Sequence, residues 1–213
     1  MGSTVEEAIR RVNAQVKLPP GYYLEWAGEY ASAKRANARL AVIVPVTVAV
    51  IFFLLYSMFS SFKWAGLAMA SLALSPIGAL FALYFTGTHF SVSSGIGMLA
   101  LFGVAVETGV IMIEYINQLR ARGYGVHEAA VEGAVLRLRP IMMTMLVATL
   151  GLLPAAISTG IGSDSQKPFA IVIVGGLSAT LLLSVYVLPT LYTSIAGDRD
   201  VLPAYELDLA EPR

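Results

Sequence analysis

Ser94-Gly-Ile-Gly-Met-Leu-Ala-Leu-Phe-Gly-Val-Ala-Val-Glu-Thr-Gly-Val-Ile-Met-Ile113 is apolar or small at every position except near its centre, where Glu107 is followed by Thr108. At 1.5 Å per residue, about 20 such residues span the roughly 30 Å of hydrocarbon in a bilayer. The stretch is therefore read as a membrane-spanning helix with one carboxylate buried at mid-depth. An ionisable group there is costly unless it faces a bundle interior, a wet cavity or a partner, and it marks a proton or ion pathway by default. The alternative is a neutral acid that serves only as an interhelical hydrogen-bond anchor.

Working outward, the same length criterion gives five spans: Leu40 to Phe59, Trp64 to Phe85, Ser93 to Ile116, Pro140 to Thr159 and Phe169 to Thr193. The composition agrees, with 57% hydrophobic and 13% charged residues, whereas soluble domains carry about 25% charged residues. The spans contain Pro45, Pro76, Pro154 and Pro189, and the third has four glycines instead. Helix breakers survive in lipid only where neighbours satisfy the freed backbone groups, so these helices are expected to pack on one another. Ser71, Ser75 and Ala79, or Gly176 and Thr180, offer small residues at four-spacing for close approach. With no cysteine, disulfides and thiolate chemistry are excluded, and a formal net charge of zero implies no nucleic-acid partner.

The polar connections are read as Ser60 to Lys63, Thr86 to Val92, Asn117 to Arg139 and Gly160 to Pro168. Arg120, Arg122, Arg137 and Arg139 make the third the most basic, which argues for a cytoplasmic loop and a periplasmic N-terminus. Lys34, Arg35 and Arg39 before the first span argue the other way. Within the third loop, Val126 to Arg137 has helical spacing and is expected to form a short interfacial helix.

Residues 1–38 cannot bury a core alone. Val5, Ile9, Val12 and Val16 share a helical face that Thr4 can cap and Leu18-Pro-Pro-Gly21 ends, and Tyr22 to Glu29 alternates like a strand. The expected fold is thus an all-α membrane protein, a bundle of five transmembrane helices over residues 39–196. It is preceded by a short α/β segment, 1–38, and followed by an acidic tail, 197–213.

Four motifs occur in one order: Leu18-Pro-Pro-Gly-Tyr-Tyr-Leu-Glu-Trp-Ala-Gly-Glu29; Gly103-Val-Ala-Val-Glu-Thr-Gly-Val-Ile-Met112; Glu132-Gly-Ala-Val-Leu-Arg-Leu-Arg-Pro140 with Met143-Thr144; and Leu152-Leu-Pro154 with Thr159-Gly160. Together they resemble the C-terminal part of the heavy-metal efflux permeases of the RND superfamily, particularly the copper/silver branch, over residues 4 to 196. The resemblance implies a trimeric, proton-driven pump of the bacterial inner membrane that exports Cu(I), Ag(I) or Zn/Co-class cations. It also implies work with a periplasmic adaptor and an outer-membrane channel, contact with membrane lipid, and no bound cofactor. The chain would match the last five of twelve helices, with the α/β segment as the remnant of a periplasmic porter subdomain and the missing N-terminal half as a further partner.

By the same resemblance Glu107 matches a proton-relay glutamate and Thr144 a relay threonine on the next helix. This sequence departs from the copper/silver pattern at Ile141, where that branch has a lysine, and at Gln166, where it has a methionine; Gln166-Lys-Pro-Phe-Ala170 is closer to the zinc/cobalt type. Glu114, on the same helical face as Glu107, is a secondary relay candidate or an interfacial carboxylate. Met112, Met142, Met143 and Met145 are candidate soft ligands for Cu(I) or Ag(I), or else packing residues. Two other functions stay open: a non-transporting membrane subunit or remnant that assembles with a full-length pump, and an independent small oligomeric transporter.

Overall fold

A computed structural model describes residues 2–16, 19, 24, 29–160, 162–197 and 200. The helices are α1 (Gly2–Gln15), α2 (Glu29–Phe59), α3 (Phe62–Thr86), α4 (Val92–Ala121), α5 (Val126–Ala156), α6 (Ser163–Leu182) and α7 (Leu188–Ile195), with a π turn, Leu183–Val187, joining the last two. Among the described residues, five stretches are long and apolar enough to cross a membrane: Ala31–Phe59, Phe62–Thr86, Val92–Ala121, Val126–Ala156 and Ser163–Ile195. No strand occurs among the described residues, and the strand expected over Tyr22 to Glu29 lies outside them except for Leu24 and for Glu29, which opens α2.

The chain forms two units, residues 1–46 and 47–213. The first contains α1, which begins at Gly2 and so already includes Thr4, and the start of α2. The second contains the bundle.

Local chemistry sets the helix ends in the bundle. Gly87, at φ +63°, ends α3 in a Schellman motif: its N–H donates to the Tyr84 carbonyl at 3.2 Å and Thr88 N–H to that of Leu83 at 3.0 Å. Ser91 and Ser94 cap α4 reciprocally, each side chain accepting from the other's backbone N–H. The connection between α4 and α5 is much shorter than the Asn117 to Arg139 loop expected from charge, since α4 continues to Ala121 and α5 begins at Val126. The expected short helix over Val126 to Arg137 is the first part of α5. Arginine stems reach an interface from within a helix, so charge alone does not end one; the break falls at Gly123, at φ +99°. Likewise α6 begins at Ser163, well before Phe169, because Pro168 interrupts only the bond to the Asp164 carbonyl.

Small residues allow the helices to close on one another. A Cβ on Gly78 would lie 2.2 Å from that of Ala179, so α3 and α6 approach there almost backbone to backbone. Gly176 receives Leu101 of α4, and Gly133 of α5 receives Ile116 of α4, each leaving no room for a side chain. Ser71, Ser75, Ala79, Gly176 and Thr180, expected at close approaches, are all buried. Around them Trp64, Leu101, Met112, Ile113, Ile116, Leu177 and Tyr192 are almost wholly enclosed.

Candidate functional site

The inward stripe of α4 is Leu101, Ala105, Thr108, Met112 and Ile116, at helical spacing. Glu107 precedes Thr108 and so lies about 100° round the helix from it, on an exposed face. Within this chain it is at mid-helix depth and faces out of the bundle, so the bundle interior described here does not enclose it. It has no hydrogen bond or ion pair among the described residues. Thr144 of α5 is also exposed, and its hydroxyl donates to the Ile141 carbonyl at 2.9 Å, within its own helix.

The contact of Gly133 with Ile116 fixes the register of these two antiparallel helices. From it, Glu107 lies nine residues along α4, about 14 Å, and Thr144 eleven along α5, about 17 Å, at 1.5 Å per residue. The two share nearly one depth.

The other candidates separate. Met112 and Met145 are buried core residues, about 12 Å apart in depth by the same register, while Met142 and Met143 are exposed. The four do not form one ligand cluster, and no group of three His, Asp or Glu side chains suited to a metal occurs among the described residues. Glu114 is half-buried and accepts a hydrogen bond from Gln118 at 3.5 Å. His89 and His127 are exposed.

Sequence reasoning missed a polar cluster at the end of the bundle where α3 begins and α4 stops. Tyr192 of α7, fully enclosed, stacks on Trp64 of α3 with ring centroids 4.8 Å apart. Its hydroxyl donates to Asn117 Oδ1 of α4 and accepts from Arg120 Nη1 at 3.3 Å. Asn117 Nδ2 is buried without a partner. Arg120, its side chain only 6% exposed, also donates to the Gly197 carbonyl at 2.7 Å and lies 3.9 Å from the Asp200 carboxylate. Lys63 Nζ donates to both Asp200 oxygens, at 2.6 and 2.7 Å, and Gly197 N–H donates to the same carboxylate at 2.7 Å. Partial burial works to raise the Asp200 pKa, but the bonds from Lys63 and Gly197 and the charges of Lys63 and Arg120 outweigh it and hold the carboxyl below the ordinary range. Tyr192, a polar group near the end of an apolar run, was the available signal, whereas Asn117 stands first in the polar connection read from the sequence. Elsewhere Arg137 lies over the Tyr115 ring at 4.2 Å, so two of the arginines in the charge count are engaged within the fold.

Comparison with known proteins gives the setting. The chain is 40% identical over 192 residues to the cobalt-zinc-cadmium resistance protein CzcA of Cupriavidus metallidurans, covering 90% of this chain and 18% of that one. It is 35% identical to the cation efflux system protein CusA of Escherichia coli K12, over 90% of this chain and 19% of the relative. A crystal structure of a heavy metal efflux pump superposes with a TM-score of 0.76 at 40% identity, covering 92% of this chain and 20% of that one. The chain thus spans about a fifth of the length of these relatives, and the identities do not single out the copper/silver branch. The family model of AcrB/AcrD/AcrF matches residues 1–196. This chain belongs to the AcrB/AcrD/AcrF family, with the heavy-metal RND permeases as its relatives.

Proposed function

We propose that the chain forms the C-terminal membrane portion of a proton-driven heavy-metal cation efflux permease of the bacterial inner membrane, with Glu107 and Thr144 as its relay groups. The observation that carries this reading is the unpartnered carboxylate of Glu107, at mid-helix depth and level with Thr144, on a face this chain leaves open. A carboxyl in such a position is costly against lipid. It becomes useful when the rest of a pump covers it, because it can then take a proton from one side and release it to the other while the helices change packing.

In this reading the end holding Arg120 and Arg122 is cytoplasmic and the N-terminus periplasmic. Glu114 lies about 10 Å nearer the arginine-rich end and is the secondary relay group. The cargo is Cu(I) or Ag(I), or a cation of the zinc and cobalt class, for which CzcA is a relative by name. The partners are the N-terminal portion of the pump, two further protomers, a periplasmic adaptor and an outer-membrane channel. Co-expression with an N-terminal portion from a relative in a metal-sensitive strain tests the proposal. Metal tolerance is expected with the wild-type chain and not with Glu107→Gln, which keeps shape and hydrogen bonding but cannot exchange a proton. Equal tolerance with both chains sinks the relay assignment.

A further inference from the structure

The cluster around Tyr192 is not used by the transport reading, and it joins three elements that are distant in sequence. α7 is attached to α6 through the π turn, where Leu188 N–H reaches back to the Leu183 carbonyl and Pro189 has no N–H to give. The α-helical ladder is therefore interrupted where α7 begins, and π turns of this kind often mark functional sites. On the α3 side of the turn, a small apolar crevice lined by Leu67, Ser71, Leu74, Leu183, Leu188 and Leu191 is not filled by side chains. At the far end of α7, the Asp200 carboxylate is held by Lys63 of α3, by the Gly197 N–H and by the charge of Arg120 of α4.

We propose that α7 is a movable bar, hinged at Leu183–Val187 and latched by Asp200 docking between Lys63 and Arg120, with the Arg120–Tyr192–Asn117 chain reporting the state of the latch to α4. Three features favour a latch over a fixed tie. Two cations converge on one carboxylate that is still 22% exposed, so water can replace them. Asn117 Nδ2 remains a buried donor with nothing to bind, so the closed arrangement does not satisfy all its polar groups. The third is the π turn, where the α-helical bonding pattern changes between α6 and α7 and the local geometry can adjust without unwinding α6. Asn117 lies ten residues after Glu107 on one continuous helix, so a shift of α4 along its axis pulls directly on Tyr192. The latch stands independently of any transport activity.

Amide hydrogen exchange on the whole purified chain in detergent micelles tests it. In Asp200→Asn, exchange over Leu188–Ile195 is expected to rise roughly tenfold, with Leu101 to Ile116 unchanged, as for a local opening. Asp200→Glu, which keeps a carboxylate between Lys63 and Arg120, is expected to retain slow exchange. Unchanged exchange in Asp200→Asn overturns the latch. Acceleration spread evenly over all helices overturns the hinge, because the contact is then only a general stabiliser.

Discussion

Gly175 of α6 meets Ala82 of α3 so closely that a Cβ added to the glycine would lie 2.1 Å from the Cβ of Ala82. Neither atom belongs to a flexible side chain, so any residue larger than glycine must push the two backbones apart. Gly175→Ala is therefore expected to destabilise the bundle by about 1–3 kcal/mol, the range for overpacking. Gly151, inside α5 with open space where a Cβ would stand, is the control; Gly151→Ala is expected to be neutral or to stabilise by about 0.5–1 kcal/mol through helix propensity. Unfolding in mixed micelles measures both, and equal effects would remove the close approach as the cause.

The two α4 carboxylates are expected to differ in an assembled pump. Glu107→Gln should reduce proton-coupled efflux to background, whereas Glu114→Gln should leave at least about half, because a group one turn or two from an interface can be replaced by water. Efflux from inside-out vesicles, followed with a pH-sensitive dye and metal uptake, distinguishes them. Similar losses in both would argue against a single mid-depth relay.

Tyr192→Phe removes the hydroxyl that serves Asn117 and Arg120 together. It leaves the Asn117 amide with no partner at either end, which is expected to cost about 1–3 kcal/mol. Asn117→Leu in the same background takes away the stranded groups, so the double variant should be more stable than the sum of the single ones by about 1 kcal/mol. Strict additivity of the two changes would mean that the hydroxyl and the amide do not interact.

Acid should open the Asp200 contact before it unfolds the bundle. The folded carboxyl is held below its ordinary value by Lys63, Gly197 and Arg120. Its stabilisation is therefore complete above the ordinary aspartate pKa of about 3.9 and is lost as pH falls through the lower, folded value. Exchange over Leu188–Ile195 is expected to accelerate below about pH 4 in the wild type, and to show no such step in Asp200→Asn. Identical pH profiles in the two proteins would exclude Asp200 as the titrating group.

The proposed orientation is open to labelling. The chain has no cysteine, so single replacements of the exposed His89 and Tyr124 report opposite ends of the bundle. An impermeant thiol reagent added to intact cells is expected to modify the first and not the second. The reverse pattern would invert the assignment.

The five spans were legible because each is an apolar run of sufficient length, and Ser71, Ser75 and Gly176 were legible as contact residues because only small side chains permit such approach. The direction of Glu107 was not. In a soluble helix the polar face points to water, but a helix between lipid and an apolar core is hydrophobic all round, so Val104, Ala105 and Val106 look alike while only Ala105 is fully buried. The ends of α4 and α5 were misread because arginines were taken as loop residues, when Gly123 was the break. Tyr192 and Asn117, 75 residues apart, pair across helices, and no periodicity within either run announces that.

The partners of Arg120 also have an order in time. Asp200 is made 80 residues after it, roughly 4–16 seconds later at about 5–20 residues per second. While α4 and α5 enter the membrane, Arg120 is a bare positive charge and contributes fully to choosing which side its end occupies. Only when α7 has followed does the carboxylate arrive, to be shared between Arg120 and Lys63. The same side chain thus acts first as an address, read once by the insertion machinery, and afterwards as a structural anchor.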